Sequence, residues 1–226
     1  MSILEIAANY YQYFLRGTRT TILVALVTVF CGALLGCAIA LMRLSKIKVL
    51  NWFSRLYITV IRGTPMLVQL YIVYFQLDFI KYPSGSIFGV DLERAIPCII
   101  ALSMNSAAYI AEIIRAGIQA VDAGQREASL SLGMTERAIM TKVIFPQAIK
   151  NILPALGNEV IVMIKQTSLA SVFLFGELMT AYKQVQSTTF LALEPLTISG
   201  LIYLFLTVTL SRITRHFEKR MKQNER

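Results

Sequence analysis

Three stretches of this chain, Thr20 to Met42, Ala95 to Ala111 and Pro195 to Ser211, contain no Asp, Glu, Lys or Arg. A run of about 20 apolar residues crosses the ~30 Å hydrocarbon core of a bilayer, and as a helix it satisfies its own backbone there. Extending these runs and adding the other apolar stretches predicts five spans: roughly Thr20 to Met42, Tyr57 to Leu77, Ala95 to Ala116, Asn151 to Phe175, and Pro195 to Ile213. With 56% hydrophobic and 15% charged residues the chain is too apolar for an ordinary soluble domain. No tandem repeat, low-complexity tract or linker divides it, so the expectation is an all-α polytopic membrane protein of one domain over residues 1–226.

The net charge of +9 lies between the spans rather than on one solvated face, which argues against a nucleic-acid partner and for contact with membrane lipid. An odd number of spans puts the termini on opposite sides. The basic C-terminal segment, with Arg212, Arg215, Lys219, Arg220, Lys222 and Arg226, belongs in the cytoplasm by the positive-inside rule, so the N-terminus faces outward. Of 22 Lys and Arg, sixteen then fall inside; Arg16, Arg19, Lys81, Arg94 and Lys183 fall outside, and Lys165 lies within the fourth span.

The first run is longer than a signal-peptide core and follows a tail carrying Glu5, Arg16 and Arg19, so it is expected to be retained. The triplet Ala38-Ile39-Ala40 then reads as helix packing. Gly32 and Gly36 form a small-xxx-small pair that permits close helix approach. Cys31, Cys37 and Cys98 all sit in apolar segments without CxxC spacing or clustered His, which suggests neither a metal nor a disulfide framework.

Between the third and fourth spans runs a loop, 117–150, that is long for a mere connector. Ala128, Leu130, Leu132, Ala138, Ile139, Val143 and Ile144 among polar neighbours predict short one-sided helices broken at Gly133, where a partner docks or which lie on the membrane surface. In the second span Gly63, Thr64 and Pro65 interrupt helical hydrogen bonding, giving either a simple kink or an unwound stretch beside a water-filled path. The fourth span carries Asn158, Glu159 and Lys165 in apolar surroundings, where an ionisable group needs a partner or a cavity. Glu159 and Lys165 stand about 120° apart on a helix and do not neutralise each other. Each needs another partner: for Glu159 an Arg of another helix or a cationic ligand, for Lys165 a helix-end environment or the translocation path. Gly157 would let a ligand approach the backbone beside Glu159. Glu112 and Arg115, three apart, form a pair on one helix face. Lys81 to Arg94, with Pro83, Gly85 and Gly89, reads as a flexible connector or a docking rim.

Glu127-Ala128-Ser129, then Gly133, then Val143-Ile144-Phe145-Pro146 resembles the EAA loop of ABC importer permeases, with Val143 and Phe145 where Ile and Leu are usual. Arg62 to Gln69, Asn105 to Arg115 and Leu153 to Glu159 are similar to the polar amino acid uptake branch, and the resemblance covers nearly the whole chain. It implies a type I importer permease (MetI-like) fold with five transmembrane helices in the bacterial inner membrane. It also implies a second permease, identical or related, two ABC ATPase subunits that bind ATP and Mg, and an extracytoplasmic amino-acid-binding protein. This chain has no GxxxxGK[ST] loop, so it is expected to be a transport subunit without a cofactor or chemistry of its own. The resemblance makes Glu127, Ala128, Gly133 and Pro146 the ATPase-coupling residues. It makes Glu159, Asn158, Thr64, Gln69 and Val162 the substrate-contact candidates, Val162 lying near the face of Glu159 and adding no second carboxylate. The competing expectations are an ion-gradient-driven secondary transporter, which would show an intramembrane ion site and inverted repeats, and a membrane scaffold without transport.

Overall fold

The computed structural model describes residues 2–77, 79–87 and 90–223. In chain order the helices are α1 (Ile3–Leu44), α2 (Lys48–Gly63), α3 (Met66–Gln76), α4 (Leu92–Gln119), α5 (Ala123–Ser131), α6 (Glu136–Ile139), α7 (Phe145–Gln166), α8 (Leu178–Thr189) and α9 (Leu193–Gln223). A π-helical turn, Met140–Ile144, joins α6 to α7, and a 3-10 segment, Thr167–Phe173, continues α7. The strands are a two-residue pair, β1 (Ser86–Ile87) and β2 (Val90–Asp91), antiparallel with Ile87 opposite Val90. This hairpin is a small addition to the expected all-helical fold.

Among the described residues three helices, α1, α4 and α9, are each long and apolar enough to cross a membrane, and two bent pairs bring the candidates to five. The first expected span is the C-terminal part of a far longer helix. The amide of Glu5 donates to Ser2 Oγ at 3.3 Å and the Ser2 amide donates to Glu5 Oε2 at 2.9 Å, a reciprocal cap that starts α1 well before Thr20. The second expected span is not one continuous helix: α2 and α3 meet at a bend of 110°. At 16 and 11 residues they are about 24 and 16 Å long, so neither crosses alone. The fourth continues past its 3-10 segment into α8 through a bend of 46°. α8 lies between the fourth and fifth expected spans. The Glu177 carboxylate, which accepts from the amides of Met179 at 2.7 Å and Thr180 at 2.6 Å, caps and holds it.

α4 is the centre of the bundle. Of its apolar window 61% is buried, against 28% for α1 and 6% for α9, so α9 presents most of its surface outward. Gly32 and Gly36 account for the closeness of α1 to α4: a Cβ at either would stand 2.9 Å from the Cβ of Ser106 or of Ile110, an approach that only glycine permits. Val24, Leu70, Cys98, Leu102 and Phe175 form the largest apolar core, between α1, α3, α4 and the segment before α8. Beyond it, Ile6 and Phe14 of α1 pack on Leu178 and Val185 of α8 and Ile198 of α9.

Candidate functional site

The break at Gly63–Pro65 leaves carbonyls at the end of α2 without helical donors. Gln69, buried on α3, supplies them: its Nε2 donates to Ile61 O at 2.6 Å, to Thr64 O at 3.1 Å and to Thr64 Oγ1 at 2.8 Å. With its amide nitrogen fixed on carbonyls, its oxygen faces α4 and accepts from Asn105 Nδ2 at 2.9 Å. That orients Asn105 in turn and leaves Asn105 Oδ1 buried with no donor. Tyr57 reinforces the junction by donating to Met104 O at 2.6 Å.

The residue after Asn105 serves a second cluster. Ser106 Oγ donates at 2.9 Å to Oε1 of Glu159, which is 4% exposed on α7. Glu159 therefore sits where α1, α4 and α7 meet, with Gly32 pressed against Ser106. Among the described residues no Lys or Arg lies within ion-pair distance of it, so the structural Arg pair weighed from the sequence is not formed there. Gln166 Oε1, seven residues along and on the same face of α7, is a further buried acceptor without a donor. Glu159, Asn105 and Gln166 thus offer acceptors, and the two clusters join at consecutive residues of α4.

The other candidates are placed as follows. Thr64 is exposed at the α2–α3 corner and donates to Val60 O at 2.8 Å. Asn158 and Lys165 are exposed and Val162 is half-buried, on a stripe of α7 turned away from Glu159. Gly157 opens no path to the backbone: a Cβ there would stand 2.9 Å from Thr214 Cγ2, so this glycine serves the packing of α9 on α7. Glu112 and Arg115 pair at 2.7 Å as the spacing predicts, and Arg62 adds itself at 3.7 Å, with its guanidinium 5.1 Å from the centre of the Tyr109 ring. Asn105 and Ser106 stand at the start of the stretch similar to the polar amino acid uptake branch but are not among the site residues expected from the sequence. The signal for them was an adjacent polar pair inside an otherwise apolar run.

The segment between α4 and α7 is folded rather than slack. Asp122 Oδ1 caps α5 by accepting from the Gly124 amide at 2.7 Å. Gly133 turns the chain with φ of +78°, in the left-handed region, and the Met134 amide closes the turn on Ser129 O at 3.1 Å. Thr135 Oγ1 caps α6 by accepting from the Ala138 amide at 3.3 Å, and Arg126 forms an ion pair with Glu136 across the turn. Glu127, Ala128, Gly133 and Pro146 are all exposed, and Glu127 has no ion-pair partner among the described residues. No group of three His, Cys, Asp or Glu among the described residues could hold a metal.

A central α4 ringed by α1, α3 and α7, with a capped and exposed helical elbow at one end, is an architecture shared with known membrane transport subunits. Residues 30–223 match the family described as binding-protein-dependent transport system inner membrane component, and the chain belongs to that family. It is 38% identical over 213 residues to the arginine transport system permease protein ArtQ of Bacillus subtilis (strain 168), with 94% of each chain covered. A solved amino acid ABC transporter with histidines superposes at a TM-score of 0.89 with 44% identity, covering 97% of this chain and 99% of that one. An inward-facing structure of the MetNI methionine ABC transporter superposes at 0.72 with 16% identity, over 93% and 96%, and shares the fold. The fold is that of a type I ABC importer permease, and the chain spans a membrane.

Proposed function

We propose that this chain is the permease subunit of an ABC importer for a polar amino acid, and that Glu159 receives the substrate's ammonium or cationic side chain. The observation that carries this reading is a buried carboxylate inside a span, met by one hydroxyl and by no cation among the described residues. A charge so placed is retained where something in the working cycle pairs with it. The orphan acceptors of Asn105 and Gln166 suit the same kind of guest. Gln69 and Thr64 hold the corner that faces the site, while Asn158 and Val162 line the neighbouring stripe of α7. The arginine transport system permease protein of Bacillus subtilis and the amino acid ABC transporter solved with histidines support a substrate with a basic group. Family membership separates this reading from a gradient-driven transporter.

Two permeases, identical or related, enclose the path above two ATPase subunits that hold ATP and Mg. The elbow around Glu127, Ala128, Gly133 and Pro146 docks into those ATPases. A binding protein delivers substrate at the opposite end, near the β1–β2 hairpin. The bias of Lys and Arg supports a cytoplasmic elbow and C-terminus with the N-terminus outside. Coupling follows when nucleotide favours one of two access states.

The test is ATP hydrolysis by the complex in lipid, with the binding protein and a panel of amino acids. One or a few amino acids should stimulate hydrolysis. In Glu159→Gln, loss of a charge-assisted contact should raise the half-saturating substrate concentration for transport about 10- to 100-fold with assembly intact. No response to any amino acid would overturn the substrate class, and unchanged saturation in Glu159→Gln would remove Glu159 from the site.

A further inference from the structure

At the elbow end of the bundle α1, α4 and α7 leave a groove of about 640 Å³ whose lining is apolar throughout. It runs along α1 from Ala33 past Cys37 to Leu44, follows Leu153 on α7, and ends against Met140 and Phe145. Leu41, Leu44, Phe145 and Leu153 on its rim are exposed. A site that binds polar solutes would offer convergent hydrogen-bonding groups, and this one offers none.

Length and charge identify the occupant. Ala33 to Leu44 is about 16 Å along the helix, close to half of the ~30 Å hydrocarbon core and so to the depth of one leaflet. At the end where a headgroup would lie, segments 33–48 and 138–156 carry Arg43, Lys46, Lys48, Lys142 and Lys150 and no Asp or Glu, while α4, the third wall, adds Glu112 in ion pairs with Arg115 and Arg62. Lys46 follows the rim residue Leu44 by two positions and Lys142 falls between the wall residues Met140 and Phe145; both are exposed. We propose that the groove holds an acyl chain of one anionic phospholipid, with its headgroup held by Lys46 and Lys142.

This placement touches the coupling apparatus. Met140 opens the π-helical turn that links the elbow to α7, and Phe145 follows it directly. Such turns are wider than the α-helix and occur mostly as single turns within α-helices, frequently at functional sites. A chain packed against both side chains steadies that joint, which ties elbow position to the charge of the surrounding leaflet.

The experiment is native mass spectrometry of the whole transporter released from nanodiscs of phosphatidylcholine with phosphatidylglycerol, alongside ATP hydrolysis and uptake. Wild type should retain phosphatidylglycerol in preference to phosphatidylcholine. Cys37→Trp, which fills the groove, should lose the retained lipid. The double variant Lys46→Gln with Lys142→Gln, which leaves the groove open, should cut the preference for phosphatidylglycerol about tenfold or more. If Cys37→Trp does not assemble, the double variant decides alone. Equal retention of both lipids by wild type, or undiminished preference in the double variant, would overturn the proposal. So would efficient bis-maleimide cross-linking of Cys37 in one copy to Cys37 in another, in a Cys31→Ser, Cys98→Ser background, since a second copy of this chain would then fill the groove.

Discussion

Replacing Gln69 by Leu keeps the approximate volume of the side chain and removes the amide that closes the α2–α3 corner. About three hydrogen bonds go with it: the two Nε2 hydrogens, shared among Ile61 O, Thr64 O and Thr64 Oγ1, and one bond accepted from Asn105. Hydrogen bonds between membrane-embedded side chains average about 0.6 kcal/mol each, which puts the loss at about 1.8 kcal/mol. A separate route gives a similar figure, because the buried Asn105 amide left without an acceptor costs about 1–3 kcal/mol by itself. The expected destabilisation is therefore about 1–3 kcal/mol, measured as reversible unfolding in mixed micelles. A double-mutant cycle with Asn105→Leu should return a coupling of about 0.5–1.5 kcal/mol, because the second substitution removes a partner already stranded by the first. A loss below about 0.5 kcal/mol together with a weakened apparent affinity for the transported amino acid would refute this reasoning. It would show that the amide is poised for substrate rather than holding the corner.

Gly36→Val should destabilise the fold by about 1–3 kcal/mol in the same assay, since its Cβ would stand 2.9 Å from Ile110 Cβ and Cγ2. Gly63→Ala, whose Cβ meets nothing within 4 Å, is the control and should stay within about 0.5 kcal/mol. Glu127→Arg reverses a charge that is exposed and has no ion-pair partner among the described residues, so folding should hold while ATPase copurification and uptake fall together; unchanged uptake would remove the elbow from the mechanism. Arg126→Ala, by contrast, breaks only an exposed pair with Glu136 and should cost less than about 1 kcal/mol in stability.

The membrane-spanning segments were readable because hydrocarbon tolerates neither charge nor unsatisfied backbone, and the three charge-free runs lie inside α1, α4 and α9. What sequence could not supply depends on contacts between distant residues. The N-terminal part of α1 and the whole of α8 carry mixed, partly polar sequence with no strong period. They are helical because Glu177 caps one and because Gly17 lets them touch, a Cβ there standing 2.9 Å from Leu178 Cα. The break at Gly63–Pro65 was visible as chemistry, whereas its 110° angle is set by Gln69 reaching back to Ile61 and across to Asn105, 36 residues away. Glu159 stood out as a carboxylate in an apolar run. Its partner Ser106 did not, because a serine among alanines reads as one more small packing residue until Gly32 is seen against it.

The placement of Asn105 and Ser106 next to each other on α4 bears on how the subunit moves. Consecutive helical residues point about 100° apart, so one bond to Gln69 and another to Glu159 fix the azimuth of α4 against α3 and α7 at once. Rotation of α4 about its own axis that relieved one bond would strain the other, and Gly32 and Gly36 leave no slack toward α1 for a sliding motion. In the proposed importer, alternating access then falls to the subunit turning as a nearly rigid body against its partner permease. On that proposal the elbow is the handle by which the ATPases would turn it.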